Sequence, residues 1–168
     1  MPKIIENLEE RLKKAAEQQI REIGYANMTI RSVAAACGVG VGTVYNYYAS
    51  KDDLLAAWMV DDWNEHIAVM EASAAREETV EAVARIIHDE LTEFARRHST
   101  ILQDEAAAIS ASKSFHFYHS ILRSQLAAPL RRFCEEDFGA EFAAESLLTW
   151  TMSGKDFDEI WHQLRRLF

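Results

Sequence analysis

Glycines and hydrogen-bond donors are concentrated in one short stretch, Cys37–Lys51, which reads CGVGVGTVYNYYASK. Three of its residues are glycines and three are tyrosines, and it also contains a threonine, an asparagine, a serine and a lysine. Hydroxyl groups and an ammonium donate hydrogen bonds to phosphate oxygens. Glycine permits tight turns and a close approach between two backbones, although it weakens a helix interior. The stretch therefore predicts contact with a phosphate backbone.

The elements around this stretch read as short helices. Apolar residues at three- and four-residue spacing predict a first helix from Leu8 to Ile23, with Gly24 as a left-handed cap. Thr29 caps a short second helix that ends near Cys37, and Gly38 and Gly40 make the turn into a helix of about seven residues from Val41. Ser50 and Asp53 then begin a long helix from Lys51 to about Ala72.

The remainder of the chain has the same helical period. We expect a helix from Val80 to about Arg97, shorter helices over about 99–109 and 112–137, the second broken at Pro129, and a boundary at Gly139. A helix to Gly154 and a last helix to Phe168 complete an all-α chain of about nine helices, with no strand pattern.

Two short helices joined by a glycine-containing turn describe a helix-turn-helix, whose second helix enters the major groove. Val44 and Tyr48 are four residues apart and should face inward, against Val33 and Ala34. Thr43, Asn46 and Tyr47 should face outward, and Tyr45 lies near the boundary. Gly42 would let the start of this helix lie against a phosphate backbone. The alternative is a helical corner stabilised by aromatic packing alone.

These residues resemble the DNA-binding domain of TetR-type (tetracycline-repressor-like) transcriptional regulators. The match extends over about residues 8–58 in the family's order and spacing. The matching residues are Arg11, Ala15-Ala16, Gly24-Tyr25, Thr29, Ala34, Gly38-Val39, Gly42-Thr43, Tyr45, Tyr47-Tyr48, Ser50-Lys51 and Leu54-Leu55. Gly40 and Val41 depart from it, because the family often has Ser and Lys there, and Tyr48 replaces a buried Phe.

The resemblance implies a DNA site made of both helices. Thr29 and Arg31 would contact phosphates, with Arg31 also able to reach a base. Thr43, Tyr45, Tyr47 and Lys51 would hold phosphates. Asn46 and Val41 would point toward base edges, where Asn can read adenine and Val can pack on a thymine methyl group. Without the family's Lys at position 41, one phosphate contact is lost.

Composition and charge restrict the function classes. Nearly half of the residues are apolar (49%) and two are proline, which predicts a folded chain. The longest apolar run, Leu54–Val60, is too short to span a bilayer, and two distant cysteines predict no zinc site. Residues 1–51 have seven Lys/Arg and five Asp/Glu, a net of +2, whereas residues 52–168 have eleven and twenty-two, a net of −11. Only the first part should approach a polyanion, and a cytoplasmic location is expected.

No enzyme motif is present: the chain has no phosphate-binding glycine loop, nucleophile elbow or HExxH pattern, and no cofactor site is predicted. His116 and His119 have helical spacing for a metal pair, but further ligands are lacking, so no metal is predicted. We expect residues 1–50 to form the DNA-binding domain and residues 51–168 a helical effector-binding and dimerisation domain, as the resemblance implies.

Aromatic and polar side chains in this second domain predict a ligand pocket, although they could equally be core. The candidates are Met59, Trp63, His66, Phe94, Phe115 and Tyr118. The last helix has an apolar stripe that must cover its own core or a partner. Its members are Phe157, Ile160, Trp161, Leu164, Leu167 and Phe168.

The resemblance implies a repressor that binds a palindromic double-stranded DNA operator as a homodimer and is released by a small molecule. The long helix from Ser50 would transmit the effector's signal. The alternative is a helix-turn-helix DNA-binding protein without a small-molecule effector, or one repurposed for protein contacts.

Overall fold

The structure, a computed structural model, describes residues 7–99, 101 and 119–168, and all regular structure in these ranges is helical. The predicted all-α class is therefore confirmed. The α-helices are α1 (Leu8–Ile23), α2 (Ile30–Cys37), α3 (Val41–Tyr45), α4 (Lys51–Ala74), α5 (Val80–Arg97), α6 (Asp137–Met152) and α7 (Phe157–Leu164). Residues 119–127 are also helical, and Arg131–Phe133 and Arg165–Leu167 are single 3-10 turns. No helix in the described ranges is long and apolar enough to cross a membrane.

The first two helices begin and end on local signals. The Thr29 hydroxyl accepts the backbone N–H of Ser32 at 3.0 Å, and the Ser32 hydroxyl accepts the N–H of Thr29 at 3.1 Å, which is a reciprocal capping box. Gly38 has φ 67° and ψ 33°, the left-handed region that favours glycine. Gly24 has the predicted positive φ, 79°, but its ψ of 159° is extended.

The described residues form two compact units, and the division falls within α4, between Asp61 and Asp62. Unit 1 contains the chain through Asp61 and the segment that begins at His98; unit 2 contains Asp62–Arg97 and the C-terminal part. The first turns of α4 belong to unit 1 because their apolar side chains, Leu54, Leu55 and Trp58, are buried in its core. The domain boundary predicted at residue 50 stays a prediction.

The core of unit 1 joins α1, α2 and α3. Leu12 and Ile20 of α1, Val33 of α2 and Val44 of α3 are all buried in it. A polar contact adds to this packing, because the Arg11 guanidinium donates to the carbonyl oxygen of Cys37 at 2.8 Å. The bond satisfies a carbonyl group at the end of α2, where the helix itself offers no partner. It thereby fixes α2 against α1.

Unit 2 is built on α5, α6 and α7, whose buried residues include Ile87, Leu91 and Leu147. The boundary predicted at Gly139 is wrong, because Gly139 lies inside α6. The break falls earlier, where Cys134 and Glu136 are extended. The helical residues end at 127, just before Pro129, as expected from the missing N–H of proline.

Candidate nucleic-acid interface

The turn between α2 and α3 fixes the angle at which α3 leaves the core. The backbone N–H of Gly38 donates to the carbonyl oxygen of Ala35 at 3.1 Å, and that of Val39 donates to the carbonyl oxygen of Ala34 at 3.0 Å. This pair of bonds is a Schellman motif, and its left-handed residue is Gly38. The two helices and their turn form a helix-turn-helix.

The inward side of α3 agrees with the sequence analysis. Val44 and Tyr48 are buried in the same core as Val33 and Ala34. Val44 is fully buried, so it anchors the middle of the short helix. The opposite side of α3 is consequently turned to the surface.

Four side chains with hydrogen-bonding groups lie on that surface. Tyr45 and Tyr47 are 52% and 47% exposed, although large aromatic side chains are usually buried. Asn46 is exposed and Thr43 is half-buried. Tyr45, predicted to lie near the boundary, is therefore on the outer side. A face with three hydroxyl groups and an amide can donate to several phosphates and to a base edge.

The third helix is shorter than predicted. It ends at Tyr45 after five residues, and Asn46 and Tyr47 form a turn. The reason is a change in hydrogen bonding, because the backbone N–H groups of Tyr47 and Tyr48 both donate to the carbonyl oxygen of Val44, at 2.9 and 3.0 Å. The turn directs Tyr48 into the core and leaves Asn46 and Tyr47 outside.

Gly42 lies in α3 with no neighbour that requires a glycine. A Cβ atom added there would meet no atom within 4 Å in the part of the chain that the structure describes, and the φ of Gly42 is not in the left-handed region. Neither packing nor backbone conformation therefore accounts for a residue that weakens the helix. Its bare backbone is exposed beside Thr43, at the point where the sequence analysis placed a phosphate.

The start of α2 contributes to the same unit. Thr29 and Arg31 are both exposed, and Val41, at the start of α3, is half-buried. The Thr29 hydroxyl serves as the cap of α2, so its oxygen is already an acceptor within the chain. The Thr29 hydroxyl therefore has limited capacity for further hydrogen bonds, whereas the Arg31 guanidinium has five N–H donors.

Lys51 has a defined position at the start of α4. Its Nζ donates to the carbonyl oxygen of Tyr25 at 3.1 Å and lies 4.2 Å from the centroid of the Tyr25 ring. The Tyr25 hydroxyl in turn donates to the carboxylate of Asp52. Tyr25 is buried at the end of α1, so it ties the first turn of α4 to that helix.

Tyr48 and Lys13 are ionisable groups beneath this surface. Burial raises the pKa of the Tyr48 hydroxyl, and the negative charges of Glu9 and Asp61 raise it further. Lys13 pairs with Asp61, Glu9 and Glu10. Burial opposes the charged form of Lys13, but these carboxylates outweigh it and raise its pKa.

The predicted pocket residues fall into three groups. In unit 2, Trp63, His66 and Phe94 are buried together, with Phe94 edge-on to the Trp63 ring at 5.2 Å and to the His66 ring at 5.9 Å between centroids. In unit 1, Met59 packs against the core. Phe115 and Tyr118 lie outside the described residues, as does His116. His119 pairs with Glu145 at 3.3 Å.

The predicted dimer stripe is divided between core and surface. Phe157, Ile160 and Leu164 are buried within the chain, whereas Leu167 and Phe168 are exposed. Trp161 is half-buried, and its ring stacks on those of Phe157 and Phe168, with 5.9 and 6.1 Å between ring centroids.

Sequence reasoning missed an exposed apolar surface on α6. Phe142 and Trp150 are about half exposed and line a half-open groove of about 340 Å³ together with Ser146, Ile160, Leu164 and Leu167. Phe142 and Trp150 are eight residues apart, which brings them to neighbouring positions on one side of a helix, and this spacing was the available signal. It was obscured because the opposite side of α6 is also apolar, with Ala143, Ala144, Leu147 and Leu148 buried.

A comparison with protein families decides what this N-terminal unit is. The family described as bacterial regulatory proteins of the tetR family matches residues 12–58. The chain carries the N-terminal domain of the TetR family. The resemblance inferred from the glycines, tyrosines and Lys51 is therefore confirmed. A search of curated protein sequences finds no significant match.

Solved structures with the same fold extend over nearly the whole chain. FadR of Thermus thermophilus, a TetR-family transcriptional repressor in complex with lauroyl-CoA, is 22% identical, with a TM-score of 0.65 over 95% of this chain and 92% of that one. The putative transcriptional regulator SCO7518 of Streptomyces coelicolor A3(2) is 15% identical, with a TM-score of 0.70 over 94% and 96%. The multidrug binding protein EbrR, complexed with imidazole, is 20% identical, with a TM-score of 0.59 over 95% and 94%. At these identities the similarity establishes the fold.

Proposed function

We propose that this TetR-family chain is a transcriptional repressor that binds a palindromic operator as a homodimer and is released by a small molecule. One observation carries the DNA-binding part: the outer side of the helix-turn-helix has exposed donors around Gly42, a glycine that packing among the described residues does not require. The core beneath it holds α3 by the buried Val44, so the donors are presented on a fixed element.

The DNA contacts follow from the chemistry of each side chain. The hydroxyl groups of Thr43, Tyr45 and Tyr47 donate hydrogen bonds to phosphates on either side of the groove. Gly42 leaves a backbone N–H accessible to another phosphate. Asn46 reads a base, since its amide matches the acceptor and donor of adenine in the major groove. Lys51 adds the charge that makes binding depend on salt.

The test measures binding of the full chain to DNA from upstream of its own gene, by fluorescence anisotropy at several salt concentrations. Lys51→Ala should weaken binding to all sequences and lower the salt slope by about one unit, because one counterion fewer is released. Arg166→Ala is the matched control: it removes the same charge from an exposed position near the C-terminus and should leave the slope unchanged. Wild-type protein that shows no saturable, salt-dependent binding would contradict the proposal.

The homodimer is supported by the two apolar sides of α6. A helix that is hydrophobic around most of its circumference needs cover on both sides, and its own unit covers one. Phe142, Trp150 and Leu167 remain exposed along the groove between α6 and the C-terminal residues. We assign a second copy of the chain to this surface, with the exposed part of the predicted stripe at its edge. A two-fold axis then places two recognition helices about 34–36 Å apart on a palindrome.

The effector is proposed to bind in unit 2 near Trp63, His66 and Phe94. These side chains combine apolar walls with a polar group, as ligand sites commonly do. An effector that prefers the DNA-free arrangement shifts the equilibrium by its difference in affinity, and a coupling of about 1–3 kcal/mol weakens operator binding roughly 5- to 150-fold. Operator DNA must weaken effector binding by the same factor. Operator binding that no compound alters would favour the alternative without an effector.

A further inference from the structure

Gln19 of α1 is hydrogen-bonded to the start of α2. The Ser32 hydroxyl donates to Gln19 Oε1 at 2.5 Å. That distance lies in the usual range for an O–H···O bond and below the range for N–H···O, so the oxygen of the Gln19 amide faces Ser32. The Ser32 oxygen itself accepts the backbone N–H of Thr29. Gln19 is therefore joined to the capping box that begins α2.

The nitrogen of the Gln19 amide is available for a further contact. Nε2 carries two hydrogens and has no hydrogen-bond partner among the residues that the structure describes. It is also accessible to solvent, because Gln19 is half-buried and Nε2 is not among the buried, unpaired atoms of those residues. Two unused donors on a side chain whose oxygen is already held suit an acceptor outside the chain.

The position of Gln19 indicates which acceptor this is. Ser32 follows Arg31 and lies three residues after Thr29, and both of these exposed residues are candidate DNA contacts. In a helix-turn-helix the first helix, here α2, crosses the DNA backbone, whereas the second enters the major groove. Groups at the start of α2 should thus meet phosphates rather than base edges.

The neighbouring Gln18 has the same chemistry and a different environment. It is exposed, and its Nε2 donates to Glu22 Oε1 at 2.8 Å along α1. Among the hydrogen bonds of the described residues, Gln18 has none to α2, whereas Gln19 does. The two glutamines therefore form a natural pair for comparison.

We propose that Gln19 is a further DNA contact, whose side-chain amide donates to a phosphate beside the start of α2; this rests on the DNA-binding function proposed above. The Thr29 hydroxyl has little capacity left for that phosphate, since it caps α2. Gln19 supplies the missing donors. Its bond to Ser32 holds the amide before DNA arrives, which reduces the side-chain ordering that binding requires.

The experiment measures the affinity of the full-length protein for DNA from upstream of its own gene, by fluorescence anisotropy at several salt concentrations. Gln19→Met keeps the length of the side chain and removes its donors, so binding should weaken about tenfold or more, as expected for a hydrogen bond to a charged group. The salt slope should not change, because a neutral donor releases no counterion, in contrast to Lys51→Ala. Gln18→Met is the matched control and should leave the affinity unchanged.

Gln19→Glu separates contact with DNA from support of α2. The new carboxylate still accepts the Ser32 hydroxyl, but it has no donor and repels a phosphate. Gln19→Glu should therefore lose more affinity than Gln18→Glu, while its thermal unfolding stays close to that of the wild type. The capping box should also survive in Gln19→Met, because the Thr29 carbonyl oxygen is an alternative acceptor for the Ser32 hydroxyl at 2.8 Å.

A scan of the same DNA with single methylphosphonates identifies the phosphate. Replacing the contacted phosphate should weaken binding of the wild type and not of Gln19→Met, in which that hydrogen bond is already absent. Wild-type protein that does not bind DNA would overturn the DNA-binding function together with this contact. Wild-type binding with equal affinity for Gln19→Met, or a scan in which each phosphate affects both proteins equally, would overturn the Gln19 contact alone.

Discussion

Replacing Gly42 by alanine should stabilise the protein and weaken its binding to DNA. The added methyl group would meet no atom of the described residues within 4 Å, and the backbone conformation suits alanine. The substitution should therefore give the ordinary gain of alanine over glycine in a helix, about 0.5–1 kcal/mol. For a chain of this length that raises the melting temperature by roughly 1–4 °C.

The DNA effect has the opposite sign because the same methyl group lies where a phosphate should approach the α3 backbone. Losing one hydrogen bond to a charged phosphate costs about 1.5–3 kcal/mol, or roughly 10- to 150-fold in affinity for each half-site. Thermal unfolding and anisotropy titrations on the same preparation measure both quantities.

Gly139→Ala is a matched control for this substitution. Gly139 lies in α6 of unit 2, and an added Cβ would be in ordinary contact with Cys134 at 3.6 Å. It should gain stability and leave DNA binding unchanged. If Gly42→Ala bound DNA as tightly as the wild type, the glycine would not serve the approach to DNA. A loss of stability would show that the helix there does not tolerate a side chain.

Three further outcomes are expected. Asn46→Ala should change the preferred base at one position of each half-site rather than lower all affinities equally, as a selection from randomised DNA would show. Tyr48→Phe should reduce the loss of stability that occurs above about pH 10. Because the pKa of Tyr48 is raised, the folded state keeps the hydroxyl proton at a pH where the unfolded chain releases it, so the wild type loses stability as the pH rises. Denaturant titrations at several pH values measure the difference between the two proteins. Trp150→Glu should yield monomers in sedimentation at concentrations where the wild type is dimeric, because the charge would be buried at the proposed interface; equal mass for both proteins would refute that surface.

Features set by neighbouring residues could be predicted from the sequence. The cap at Thr29 and the turn at Gly38 depend on residues within a few positions, and both are present. The length of α3 could not be predicted, because its end depends on where the core accepts Tyr48. The contact of Lys51 with Tyr25 joins residues 26 positions apart and leaves no periodic signal.

The candidate sites in unit 2 show the same limit. The apolar spacing on the last helix indicated a surface that must be covered. It did not distinguish the residues that are buried within unit 2 from those that stay exposed. That distinction requires the positions of α5 and α6, which the pattern of a single helix does not contain. The pairing of His66 with Glu90 likewise depends on how α4 and α5 are aligned.

The position of Lys51 has a consequence for how DNA recognition divides between affinity and sequence preference. A lysine side chain that becomes ordered at an interface loses about 0.5–1.5 kcal/mol of conformational free energy on binding. Because Tyr25 already holds the ammonium group, part of that ordering takes place when the protein folds. Two of its three N–H donors remain for a phosphate, and phosphates are the same at every sequence. We therefore expect the pre-ordered lysine to strengthen binding to DNA of any sequence in the proposed complex, and the choice among sequences to depend mainly on the proposed base contacts of Asn46 and Val41.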